Sequence, residues 1–357
     1  MDNTDPFAVI AEEAPAFSDE EAIVTAAARY GWQVAVRSLV SERDQNFRLA
    51  LADGRKFVLK IANAAEEPLV TDFQIQALLH IAKRARAANL AVIAPEIVPT
   101  LEGDVSFMLE KDGRQHVVRA VTWLEGVPLA DQQASPTLAR DAGERLAELG
   151  RALEGFDHPG SRHSLLWDIQ QALSLRRLLH HVRDADVAQA VKGALDDYEQ
   201  HVAPAIAALR SQVIHSDLNP DNMLIAADKP DKLVGVIDFG DMLYAPLIAD
   251  LAIACSYLRV ADGDPLALIA EMIAGYHAVT PLARAEIDVL FELIQARLAA
   301  SITILEWRSS LRGDDDPYLA KLDSGERSAG YFLLRLREVP REHAIQVFRQ
   351  VCASVSD

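Results

Sequence analysis

The segment Val213-Ile214-His215-Ser216-Asp217-Leu218-Asn219-Pro220-Asp221-Asn222, followed by Val236-Ile237-Asp238-Phe239-Gly240, carries the strongest chemical signal in the chain. Two short apolar runs, Asn222 to Ile225 and Leu233 to Ile237, lie between and within these stretches, split by polar Ala227-Asp228-Lys229-Pro230-Asp231. That pattern predicts a hairpin with a polar loop on each side of it. Histidine, aspartate and asparagine then stand in HxDxxxxN spacing, with an Asp-Phe-Gly one hairpin later. Phosphoryl transfer from a nucleotide needs a carboxylate beside the acceptor hydroxyl, oxygen ligands for magnesium and a cation on the donor phosphates. Asp217 is the candidate base, and Asn222 and Asp238 are the candidate magnesium ligands. The chemistry leaves no separate task for an imidazole, so His215 is expected to shape the loop. Either motif alone also fits a turn rich in Asp, Asn and Pro that only reverses the chain. Their order and separation favour catalysis.

Upstream, Ser18 with Glu21 forms a capping-box pattern, and a helix is predicted to Tyr30, where Gly31 stops it. Val34 to Val40, Asn46 to Leu51 and Lys56 to Ile61 read as strands, the last two joined by Ala52-Asp53-Gly54-Arg55. Leu69 to Ala88 reads as a helix, with Phe73, Ala77, Leu78 and Ile81 on one stripe. Val105 to Glu110 and His116 to Trp123, around Lys111-Asp112-Gly113-Arg114, complete an antiparallel sheet with one inserted helix. Lys60 ends one of these strands, where a cation for the donor phosphates is expected.

From Thr137 onward the spacing is helical, with further helices predicted at 166–182, 186–209, 246–259, 265–278, 282–309 and 340–354. The fold class expected is α+β and bilobal, with a nucleotide-binding sheet lobe over 1–122 and a mostly helical lobe over 123–357. Leu124-Glu125-Gly126-Val127-Pro128 is the candidate linker.

Composition narrows the partners. Against 53 Asp and Glu stand 35 Lys and Arg, a formal net charge of -18, which opposes general attraction to nucleic acid or anionic membranes. Cationic ligands suit that field, although an acidic surface also serves solubility. Cys255 and Cys352 lack CxxC spacing and read as core thiols. The segment Met1 to Phe17 is acidic, and no run approaches the ~18 uncharged apolar residues of a membrane span. A cytoplasmic setting is the expectation. His158, His163, His180 and His181 have no accompanying zinc pattern and are expected at the surface.

With these motifs the chain resembles the aminoglycoside phosphotransferase and choline kinase superfamily over nearly its whole length. Within it, the chain is most similar to the hydroxylysine kinase subgroup. Ser41-Glu42-Arg43-Asp44-Gln45-Asn46-Phe47 resembles that subgroup's nucleotide-loop DQNF segment. Asp238-Phe239-Gly240-Asp241 through Tyr244, then Ala249-Asp250-Leu251-Ala252, resembles its IDFGD and DLA stretch. The resemblance implies a protein-kinase-like fold, Mg2+, and ATP or GTP held at a hinge around Thr122 and Leu124. It also implies that Asp250 receives backbone hydrogen bonds beneath the catalytic loop, a helix-capping role being the alternative.

Two departures from the pattern matter. Residues 38–50 contain no glycine, so the phosphates would be met by Ser41, Asn46 or main-chain donors. The helical partner of the lysine, usually glutamate, falls at Gln74, with Asp72 nearby. On the acceptor side, Asp241 and Tyr244 lie where the superfamily's pocket begins, and a carboxylate there suits a substrate amine. That carboxylate could equally coordinate solvent or cap a helix; Asp168 and Trp167 are candidates for the same cleft, the bland reading of the Trp being a place in the core. The expected acceptor is a small hydroxylated amine or amino acid. Aminoglycoside, homoserine or choline-type acceptors are the alternatives, as is a non-catalytic nucleotide-binding pseudokinase.

Overall fold

The computed structural model describes residues 14–41, 43–90, 94–312 and 325–355. The acidic segment at 1–13 and Glu42 of the glycine-free loop lie outside them. The chain divides into two compact units, one running to Glu125 and including Phe156–Leu166, the other made of Gly126–Gly155 and the chain from Trp167 on. The parting thus falls three residues after the boundary expected at 122, and 156–166 joins the first unit rather than the second.

Helix α1 (Asp19–Tyr30) opens the first unit. Ser18 Oγ accepts the Glu21 N–H, Glu21 reaches back to the Ser18 N–H, and Gly31 ends the helix at φ 69°. The capping-box reading therefore holds at both ends. Strands β1 (Val34–Leu39), β2 (Gln45–Leu51), β3 (Lys56–Ile61), β4 (Ile97–Val98), β5 (Phe107–Lys111) and β6 (Arg114–Thr122) form one antiparallel sheet, ordered β1-β2-β3-β6-β4, with β5 also pairing β6. Asp112 and Gly113 both take positive φ, 52° and 75°, which joins β5 to β6 by a two-residue turn matched to strand twist. One face of the sheet buries Phe47, Leu49, Phe57, Leu59, Ile61, Val118 and Ala120 with Ala22, Ala26 and Tyr30 of α1. The strand pleat turns Lys60 to the opposite face. Strand β4 was not expected, because a two-residue strand leaves no alternation to read.

Helix α2 (Pro68–Ala88) starts on proline and ends at Asn89 in the left-handed region. The segment 156–166 lies against it. A Cβ on Gly160 would stand 2.6 Å from the Leu69 carbonyl oxygen, so only glycine allows this approach. Phe73 stacks with Phe156 and His158.

In the second unit, β7 (Val127–Pro128), β9 (Met223–Ala226) and β10 (Lys229–Val236) form a small sheet, and β8 (Ser211–Ile214) pairs with β11 (Leu243–Pro246). The polar stretch from Lys229, expected as a loop, belongs to β10, which absorbs it through two register shifts. Helix α3 (Pro136–Ala152) packs on α6 (Ala267–Val279) through two glycines. A Cβ on Gly143 would lie 2.1 Å from the Met272 carbonyl oxygen, and one on Gly275 2.0 Å from that of Arg140.

Residues Ile169–His181 wind as tighter 3-10 turns rather than as the expected α-helix. Helix α4 (Ala185–Asp197) gives way to a π turn over Tyr198–Val202, so the helix predicted to 209 ends early, next to Pro204. Helices α5 (Leu247–Cys255), α7 (Arg284–Arg312), α8 (Ala329–Arg337) and α9 (Arg341–Val355) complete the unit. Both cysteines are buried free thiols. Among the described residues no helix is long and apolar enough to cross a membrane.

Candidate active site

The pairing of β8 with β11 places the loops beyond them together, because Ile214 is in register with Leu243. Residues 215–222 leave the end of β8, and 237–242 return to the start of β11. His215 is fully buried in this crossing. Its Nε2 donates to the Ile237 carbonyl (3.1 Å), its Nδ1 accepts the Asp217 N–H (3.3 Å), and its ring meets Phe239 edge-on. That pattern needs a neutral imidazole with the proton on Nε2, and burial pushes its pKa down in the same sense. The imidazole thus ties together both motif loops and bonds only to main chain.

Asp250, on α5, lies beneath. Its Oδ2 accepts the His215 N–H (3.1 Å) and its Oδ1 the Ser216 N–H (2.8 Å). Burial raises its carboxyl, while His215 and these two bonds oppose the rise. Ser216 sits at φ 65° and Asp238 at φ 59°, so each motif holds one non-glycine residue in the left-handed region. Such conformations persist where the surroundings impose them, and they cluster at functional sites.

Asp217 is held from both sides. Oδ2 accepts the side-chain amides of Asn219 (3.0 Å) and Asn222 (2.9 Å), and Oδ1 accepts Nη2 of Arg297 (3.1 Å). Burial and the charge of Asp241 push the Asp217 carboxyl well above the usual range, Arg297 pulls it down, and Asp238 adds to the rise. Asn222 Nδ2 also donates to the Asp217 carbonyl (2.9 Å), so both of its amide hydrogens are engaged. Its Oδ1 is therefore left as a ligand atom. Asp238 is exposed and accepts the Gly240 N–H. One carboxylate and one amide oxygen suit magnesium, which takes its other ligands from water and substrate phosphates. Among the described residues no three His, Cys, Asp or Glu side chains gather into a metal-holding group.

The acceptor-side candidates fall in the same unit. Asp241 is buried. Gln170 donates from Nε2 to the Tyr244 carbonyl (3.3 Å) and from its N–H to Asp168 Oδ1 (2.9 Å). Asp168 caps the 3-10 segment, and burial raises its carboxyl. Trp167 is buried, with the Arg297 guanidinium 4.9 Å from its ring centre. The histidines differ from expectation, since only His180 is exposed while His158, His163 and His181 are half-buried. His158 spends its ring on the Gly160 N–H and Asp72, which explains its burial.

In the first unit, Lys60 stands directly across β3 from Asn46 on β2 and from Arg119 on β6, a single row of polar side chains. Arg119 is buried, and its Nη2 donates to Gln74 Oε1 at 2.6 Å. Sequence reading assigned Gln74 to Lys60 alone and missed Arg119, whose signal is a charge in an otherwise apolar Val117–Val121 run. Asn46 Oδ1 is buried without a hydrogen bond. Thr122 spends its hydroxyl and its N–H on Glu96, and Leu124 is half-buried. Ser41 is half-buried in the turn before β2.

Comparison with known proteins shows the family and the fold. The APH model, "Phosphotransferase enzyme family", matches residues 36–290. This chain belongs to that family. The hydroxylysine kinase of Danio rerio is 31% identical over 296 residues, covering 80% of this chain and 82% of its own. Among solved structures, an amicoumacin kinase in complex with AMP-PNP and Ca2+ aligns with TM-score 0.64 at 16% identity, over 94% of this chain and 97% of its own. A microcompartment-associated aminopropanol kinase aligns with TM-score 0.63 at 17% identity, over 93% and 95%. The fold is kinase-like and the protein is a small-molecule phosphotransferase.

Proposed function

We propose that this phosphotransferase moves the γ-phosphoryl group of ATP or GTP to a hydroxyl of a small amine or amino acid, with hydroxylysine as the model acceptor. The observation that carries the reading is the Asp217 carboxylate, fixed by three side chains while burial and then Asp241 raise its proton affinity. A carboxylate so placed accepts the acceptor's hydroxyl proton. The likeness to a hydroxylysine kinase supports the acceptor class. So does the surplus of carboxylates in this unit, since Asp241 and Asp168 suit a protonated amine.

Asn222 Oδ1 and the Asp238 carboxylate would hold Mg2+, which when bound neutralises charge on the donor phosphates. Lys60 binds those phosphates from β3, and Ser41 and Asn46 provide side-chain donors where no glycine loop exists. Backbone groups around Thr122 and Leu124 receive the base. His215 and Asp250 keep the catalytic loop in shape throughout.

The test is nucleoside-diphosphate release across a panel of hydroxylated amines and amino acids, run with Asp217→Asn in parallel. Turnover should depend on an amine-bearing alcohol and fall at least about 100-fold in the variant. No stimulation by any member of the panel would end the proposal.

A further inference from the structure

We infer that Arg297 is a positioning residue for the phosphoryl transfer, a clamp that selects which oxygen of Asp217 takes the acceptor's proton. The inference rests on the reading of Asp217 as the base. Arg297 comes from α7, eighty residues beyond Asp217, and only 2% of its side chain is exposed, against 20% for Asp217. Its guanidinium is fixed on several sides. Nη2 donates to Asp217 Oδ1 (3.1 Å) and to the Tyr257 hydroxyl (3.0 Å), Nη1 reaches the Trp167 carbonyl (3.4 Å), and both aromatic rings lie alongside.

The lone pairs of Asp217 then decide the rest. A carboxylate oxygen has about two acceptor sites. Oδ2 fills both with Asn219 and Asn222, whereas Oδ1 takes only Arg297. The acceptor hydroxyl therefore docks at Oδ1, beside Nη2. As the acceptor oxygen bonds to the γ-phosphorus, its proton passes to Oδ1, and the nucleoside diphosphate leaves with the electron pair of the broken P–O bond. Arg297 holds the oxygen in line for that transfer without itself exchanging a proton, because a guanidinium stays protonated. A planar fork suits this role, and an ammonium would replace only part of it.

Three variants test the clamp, with nucleotide affinity, acceptor KM, kcat and melting measured for each. Arg297→Met should melt cooperatively, bind nucleotide within about twofold of the parent and lose kcat on the order of 100-fold, the effect expected for a displaced catalytic group. Arg297→Lys should recover at least about tenfold of that loss, since its ammonium still carries charge to Asp217. A folded Arg297→Met with kcat within about threefold of the parent overturns the inference, as does a parallel loss of nucleotide affinity and kcat. If Arg297→Met does not fold, Arg297→Lys decides: lowered kcat with unchanged nucleotide affinity supports the clamp, and parental kcat overturns it. Failure of both to fold assigns the arginine to structure alone and also overturns it. Asp217→Asn separates the two proposals. Parental turnover there removes the base assignment itself, while an inactive Asp217→Asn beside an active Arg297→Met removes only the clamp.

Discussion

Asp250 Oδ1 accepts the N–H of Ser216 at 2.8 Å, and Ser216 is the residue held at φ 65° immediately before Asp217. One buried carboxylate thus bears the strained step of the catalytic loop, since its other oxygen takes the His215 N–H. Replacing Asp250 by Ala leaves two buried N–H groups without acceptors, each costing about 1–3 kcal/mol. Urea denaturation should show a loss of about 2–6 kcal/mol. Turnover should fall although Asp217 itself is intact, and unchanged stability would contradict the role.

Asp238 tests the metal assignment. Asp238→Asn keeps a residue that tolerates the left-handed region and can still accept the Gly240 N–H, but it removes the charge. The magnesium concentration for half-maximal turnover should rise at least about tenfold. The melting temperature should hardly move. A magnesium titration that overlays the parent's would remove Asp238 from the metal site.

Gly275 and Gly143 set the separation of α3 and α6. Gly275→Ala places a methyl 2.0 Å from the Arg140 carbonyl oxygen, so the helices must separate. Overpacking of this kind costs about 1–3 kcal/mol or more. Gly150→Ala, on α3 as well, meets only side-chain atoms at 3.6 Å or beyond. Relief of glycine's chain entropy should stabilise it by up to about 1 kcal/mol. Paired urea midpoints, one lower and one higher than the parent's, check both.

Asp168 gives a pH dependence with a definite sign. Its carboxyl is raised by burial, so the folded state binds the proton more tightly than the unfolded chain does. Its contribution to stability is complete below the ordinary carboxylate value of about 3.9 and is lost as pH rises through the raised folded value. Asp168→Asn keeps an oxygen for the Gln170 N–H and cannot ionise. The variant's stability relative to the parent should therefore improve from pH 4 to pH 7, read by urea titration at each pH. A difference that stays flat would rule out a raised Asp168.

The loops around Asp217 and Asp238 were legible because their chemistry is local. Spacing along the chain fixes which residues share a loop, and the apolar runs beside them mark the strands that frame it. Arg297 was not legible, since its partner lies eighty residues away and its helix is buried on nearly every side between 291 and 304. Such a helix shows no apolar stripe against which a buried cation stands out. Gly330 hid α8, although Ser328 caps it by accepting the Tyr331 N–H. The departure of 156–166 to the first unit was equally hidden, because nothing in composition separates it from its neighbours.

That departure has a consequence during synthesis. The first unit is not finished when Glu125 has been made, for Leu69 and Phe73 of α2 still await Gly160, Phe156 and His158. Until that later stretch is made, the Phe73 ring, fully buried in the finished fold, has no Phe156 or His158 ring to stack on. A chain stopped between Glu125 and Phe156 should therefore expose Phe73 and aggregate more readily than one that continues through Leu166.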